Sequence, residues 1–171
     1  MELDFEIDKI TESIEDARTG ESLNTLVVPI INAELRGVTK ENGWRFNWGF
    51  ELAQFGRQVY KLITPKEPEI IQGLVSFEKE AGFVKMPLIE SAPFNVGKAK
   101  RYKGVCGNLL AYGCKWSFEL GFDGYLSFIS KTDLIEHYID TLGAVHLGGQ
   151  RMAMFEDKAR LLVNNYFPTE E

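Results

Sequence analysis

The stretch Arg101–Leu120, RYKGVCGNLLAYGCKWSFEL, constrains this chain more than any other. It opens as a basic turn punctuated by Gly104 and Gly107. It then runs into a helical pattern that Gly121 stops, as glycine does just past a helix end. The first amides of such a helix lack intrahelical partners and point outward. Gly97–Gly104 carries four cations (Lys98, Lys100, Arg101, Lys103) and no acid, on a chain of net charge −6. Outward amides beside local positive charge form an anion cradle suited to a phosphate or pyrophosphate, and glycine lets a ligand approach the main chain closely. The alternative is a plain loop-to-helix turn with surface lysines beside it. Along the helix, Asn108, Ala111, Tyr112, Lys115 and Glu119 share one stripe, expected to be wet. Cys106, Leu109, Leu110, Gly113, Ser117 and Leu120 form the stripe expected to be buried.

The rest of the chain supplies strands before this helix and a strand and helices after it. Residues 3–10 alternate Leu3, Phe5 and Ile7 with acids, which fits either a strand or an acidic arm. A turn at Arg18–Glu21 between Ser13–Ala17 and Leu23–Ile31 suggests a hairpin, and Ile31–Val38 a short helix. Trp44, Phe46, Trp48 and Phe50 cluster in a segment that either closes a core edge or walls a binding site. Val59–Thr64, Ile70–Glu78 and Phe83–Ile89 read as strands, the first two separated by Pro65 and Pro68. Gly124–Ile129 is a further strand, and Ser130–Asp133 offers capping chemistry for a helix that Gly143 stops. Val145–Phe155, with Gly148 and Gly149 inside it, fits a bulged strand or two short ones. Glu156–Phe167 closes as an amphipathic helix before Pro168.

With 171 residues, 44% hydrophobic and 26% charged, the chain is expected to form one soluble domain spanning 1–171. No membrane-length apolar run or signal-peptide core occurs, so a cytoplasmic location is expected. Residues 1–21 hold eight acids and two bases; taking these from the chain's 25 acids and 19 bases leaves 17 of each. An acidic chain without a long basic stripe argues against nucleic acid as partner. Cys106 and Cys114 would lie about 12 Å apart on one helix, beyond disulfide reach, and so are expected to be free thiols. His137 and His146 form no metal-ligand spacing.

Arg101-x-x-Gly104-x-Cys106, continuing into Gly107-Asn108, resembles the Gln/Arg-x-x-Gly-x-Gly/Ala signature of the GCN5-related N-acetyltransferases (GNAT). The similarity extends from about Val75 to Met154, including Lys131–Gly143, which is similar to the family's helix bearing a tyrosine followed by Leu-Gly. Cys106 stands where the family has Gly or Ala. Tyr138 precedes Gly143 by five residues rather than four, a shift that turns a helical side chain by about 100°. The resemblance implies an α/β (α+β) fold with a mixed, mostly antiparallel central sheet flanked by helices. It also implies acetyl-CoA as cosubstrate and an amine-bearing small molecule or peptide as acceptor.

On that resemblance, amides around Lys103, Gly104, Val105, Cys106, Gly107 and Asn108 would hold the pyrophosphate. Lys98, Lys100 or Arg101 would meet the 3′-phosphate, and the pantetheine arm would lie in a gap between Phe83–Glu90, including Ile89, and Gly124–Ile129. Transfer to an amine needs a base and a proton for the leaving thiolate. Glu90, at a strand end among apolar neighbours, is the candidate base, or else a salt-bridged carboxylate. Tyr138 is the candidate acid, with His137 beside it, or else a core tyrosine. Two further readings stay open. One is a catalytically inactive CoA-binding or protein-interaction module that uses the acidic segment for docking; the other is a nucleophilic Cys106 activated by the helix N-terminus. A sheet with an exposed last strand could pair with a second copy.

Overall fold

The computed structural model describes residues 1–168. The expected hairpin forms: β1 (Ile14–Asp16) pairs antiparallel with β2 (Ser22–Leu23), with Ile14 opposite Leu23. Its second arm then divides, because β3 (Leu26–Pro29) leaves to pair with β4 (Arg57–Ile63). Between β3 and β4 lie a 3-10 turn, Asn32–Gly37, and the short α1 (Trp48–Ala53), whose N-cap Asn47 accepts from the Phe50 amide. The antiparallel run continues through β5 (Gly73–Lys79) and β6 (Val84–Ser91). The strand expected from Ile70 starts at Gly73, after the proline-bounded turn.

The second half alternates strand and helix: β7 (Tyr102–Lys103), α2 (Val105–Glu119), β8 (Leu126–Ile129) and α3 (Ile135–Leu142). Next come β9 (Val145–His146), β10 (Arg151–Met154) and α4 (Glu156–Tyr166). Gly148 and Gly149, both at positive φ, turn the chain between β9 and β10, so this region is two short strands. The main sheet runs β3-β4-β5-β6-β8-β10-β9, and β7 joins β1 and β2 in a small second sheet. Every pairing in the main sheet is antiparallel except β6 with β8, as a mixed, mostly antiparallel sheet requires.

That one parallel pairing is short. It joins only Val84 to Leu126 and Lys85 to Ser127, after which the strands part. α2 lies on the sheet across β5 and β6. Gly113 makes the close approach possible, since a Cβ there would fall 2.5 Å from the side chains of Phe77 and Leu126. The stripe expected to be wet is not: Asn108 and Ala111 are fully buried, because α4 packs on the other side of the helix and Asn108 Nδ2 donates to Thr25 Oγ1. Only the later part of that stripe, from Tyr112 onward, reaches solvent.

Residues 3–10 form neither a ladder strand nor a solvated arm. Leu3, Phe5 and Ile7 are all buried in the main core. Leu3 makes a single parallel bridge with Ser130, its amide donating to the Ile129 carbonyl at 2.7 Å and its carbonyl accepting from Lys131 at 2.9 Å. The segment lies beside the end of β8 in the space that β6 leaves.

Candidate active site

The turn into α2 has the geometry its glycine implies. Gly104 is the N-cap at φ +91°, a left-handed conformation that side chains resist. Its amide points to a carboxylate of the same chain: Asp8 Oδ1 accepts from Gly104 N at 3.1 Å, and Asp8 Oδ2 pairs with Lys100 Nζ at 3.0 Å. An anionic oxygen therefore stands on the cradle. Around it the space is filled, since a Cβ at Gly104 would meet Thr11 Oγ1 at 2.3 Å and one at Gly107 would meet the Tyr166 hydroxyl at 2.4 Å. Tyr166 accepts from the Thr11 amide at 3.2 Å, and Asn165 donates to the Thr11 carbonyl, so α4 clamps this end of the segment.

The other cradle residues divide by exposure. Lys103 pairs with Glu15 in the small sheet, while Arg101 is exposed with its guanidinium 5.2 Å from the centre of the Tyr102 ring. Val105 is buried, and Asn108 Oδ1 is a buried acceptor with no partner among the described residues. Cys106 Sγ lies 3.2 Å from Ser91 Oγ, and burial pushes its thiol up to about 12. Desolvation of the thiolate opposes the helix N-terminus and the cations, and works against a nucleophilic Cys106.

The other end of the opening segment is held as firmly. Asp4 takes both terminal guanidinium nitrogens of Arg45, at 2.9 and 3.0 Å, and Lys131 Nζ at 2.9 Å. These contacts, the Arg45 bond first, hold its carboxyl below the ordinary aspartate range. Phe5 stacks on Tyr138, with ring centres 4.5 Å apart, and meets Phe128 edge-on. The Tyr138 hydroxyl donates to the Phe5 carbonyl at 2.5 Å, and its burial pushes its ionisation far above that of an ordinary phenol. His137 Nε2 accepts from the Ile7 amide at 3.0 Å.

Glu90 lies across from these groups at the end of β6. Its two oxygens accept separately, from Trp48 Nε1 at 2.8 Å and from the Arg45 amide at 2.7 Å, so the aromatic cluster does divided work. Trp44 and Trp48 are core residues, Phe50 is exposed, and Phe46 lines a cavity of about 320 Å³. Ile89, Glu90, Ser91 and Cys106 form one side of that cavity, and residues of the opening segment from Asp4 to Asp8 form another. Glu90 thus shares the cavity with Cys106 and Lys100 from the cradle and with the Asp8 that occupies it, while Tyr138 is not among the lining residues and packs behind Phe5. His146 is exposed at the β9–β10 turn, away from the groove.

Sequence reasoning did not pick out Asp8, Arg45 or Tyr166, and it had Phe5 only as an alternating apolar position and Trp48 only as a member of the aromatic cluster. One signal was present: a strongly acidic opening segment in the same chain as an acid-free turn with four cations.

No protein-family model and no curated protein matches the chain. Solved structures do. AtaTR bound with acetyl-CoA superposes with a TM-score of 0.58 at 11% identity, covering 81% of this chain and 98% of that one. A chimera of the spermidine N-acetyltransferase SpeG from Vibrio cholerae and hSSAT gives 0.57 at 13% identity, covering 81% and 99%. The chain has the GNAT fold. A KacTA–DNA complex shares that fold too, at 0.56 and 11% identity over 83% of this chain and 99% of that one. The strands that part are β6 and β8, and the turn at Gly104 caps α2. Among the described residues, no group of side chains is placed to hold a metal, and no helix is long and apolar enough to cross a membrane.

Proposed function

We propose that this GNAT-fold chain is an acyl-CoA-dependent N-acetyltransferase that moves an acetyl group directly from acetyl-CoA to a primary amine. The observation that carries the reading is the left-handed Gly104 turn near the strand gap, where one carboxylate is already held by a main-chain amide on one oxygen and a lysine on the other. Asp8 Oδ1 is a stand-in for a phosphate oxygen, and the donors it uses suit a pyrophosphate. The likeness to AtaTR bound with acetyl-CoA and to a spermidine N-acetyltransferase supports the same chemistry.

Acetyl-CoA supplies the activated acyl group; the chain's own residues supply position and proton traffic. Gly104, Val105, Cys106 and Gly107 would present amides to the pyrophosphate, with Lys100, Arg101 and Lys103 as nearby charge; the Asn108 amide is already spent on the Gly104 carbonyl at 3.0 Å. Ile89 would face the pantetheine arm. Glu90, on the shared cavity, takes the proton from the acceptor amine, since each of its oxygens keeps a lone pair beyond the bond it accepts. Tyr138, kept protonated by burial and donating to the Phe5 carbonyl, reaches the departing thiolate only once Phe5 has moved aside.

A second reading is favoured by the packing of residues 3–11: a catalytically inactive module whose groove is filled by its own chain. Thiol release from acetyl-CoA with a panel of small amines, amino acids and peptides separates the two. Saturable, amine-dependent release supports the transferase. Absence of release with every acceptor, at concentrations where calorimetry shows CoA bound, overturns it in favour of the module.

A further inference from the structure

We propose that residues 3–11 are an internal competitor of the phosphorylated cosubstrate, closing the strand gap and its anion position together, so that acetyl-CoA enters only as this segment leaves. The inference rests on the acetyl-CoA reading above and adds its regulation. Three observations carry it. The Asp8 carboxylate uses the Gly104 amide and the Lys100 ammonium, the same donors a phosphate would need. Two anions cannot share those donors, because like charges a few ångströms apart in a poorly solvated site repel strongly. Thr11 stands in contact with the turn, leaving no room beside Gly104. The Tyr138 hydroxyl is engaged by the Phe5 carbonyl, so a single displacement frees the cradle and the proton donor at once.

The closed arrangement is the resting one by its chemistry. Leu3, Phe5 and Ile7 bury apolar side chains, Asp4 ties to Arg45 and Lys131, and Tyr166 and Asn165 hold Thr11. Movement has a natural limit, because β1 begins at Ile14 and stays paired with β2 and β7. A ligand that binds only the open form has an apparent affinity reduced by the fraction of molecules that are open. Loosening the segment therefore tightens CoA binding without touching the cradle.

The test is calorimetric titration of the full chain with CoA, as wild type, Phe5→Ala and Asp8→Ala, together with amide hydrogen exchange at Leu3 and Ile7. CoA affinity is expected to rise about tenfold or more in either variant, and saturating CoA is expected to speed exchange at both amides in the wild type. Binding by the variants alone supports the competitor still more strongly. If CoA binds the wild type and Leu3 and Ile7 stay protected, the competitor is overturned while the transferase reading stands. Failure of all three proteins to bind CoA overturns the transferase reading and the competitor with it. Should Phe5→Ala not fold, Asp8→Ala and the exchange measurement on the wild type decide alone.

Discussion

Gly104 shows how one residue links backbone conformation to a binding site. At φ +91°, with Thr11 Oγ1 2.3 Å from where a Cβ would be, it combines conformational strain with a steric block. Gly104→Ala is expected to destabilise the fold by about 1–3 kcal/mol, read as a lower urea midpoint with unchanged slope. Glu90 was legible from its place at a strand end. Its partners Trp48 and Arg45 were not, since they lie more than forty positions away in the chain. Glu90→Gln is expected to lower kcat by about 10²–10⁴-fold, the ordinary worth of a general base, with the KM for acetyl-CoA little changed. Steady-state kinetics with a fixed amine checks it, and a proportional rise in KM alone would assign Glu90 to binding instead. For Cys106 the sequence shows the helix start and the cations but not the enclosure that makes a thiolate costly, which is why a nucleophilic reading stayed open there.

At the scale of elements, α2 is the part that sequence rendered best and yet incompletely. Its start at the Gly104 turn, its end at Gly121 and its close seat on the sheet all follow from glycine positions. The burial of Asn108 and Ala111 does not, because the covering element, α4, is remote in sequence and its pattern says only that it has an apolar face. Gly113→Val tests the seat. Side-chain atoms of Phe77 and Leu126 occupy the space a Cβ needs, so the helix must lift from β5 and β8. A loss of about 2–4 kcal/mol is expected from overpacking and the poorer helix propensity of a β-branched residue, measured by urea unfolding. Gly82→Ala, where no atom stands near the added carbon, is the comparison: its φ of +86° carries strain but no clash. The meander β4–β6 was legible because its strands alternate and are bounded by turn residues. The parting of β6 from β8 was legible only through resemblance, since nothing in either strand's composition encodes where pairing stops.

For the whole molecule, pH dependence is set at one end of the scale by buried thiols and a buried phenol of β4, and at the other by the paired Asp4. Burial raises Cys106, Cys114 and Tyr60 to about 12. A group whose folded pKa is raised stabilises fully below its unfolded value and loses that contribution as pH climbs to the folded one. The urea midpoint is therefore expected to hold steady near neutrality and to fall between about pH 9 and pH 12, with Cys114→Ala removing part of the slope. At the acid end the sign reverses. Asp4, held below its ordinary range, stabilises at higher pH and loses that contribution as pH falls through its lowered value, releasing Arg45 and Lys131 from the opening segment.

The contacts of Leu3 with Ile129 and Lys131 also impose a sequence in time. A ribosome makes residue 3 first and β8 some 120 residues later, at roughly 5–20 residues per second. For several seconds the nascent chain carries Leu3, Phe5 and Ile7 with nowhere to bury them. Their place is created only when β8 and α3 have been translated, so the segment settles among the last events of folding. The β3–β6 part of the sheet, by contrast, has all its strands translated by residue 91, well before residues 3–7 have anywhere to go.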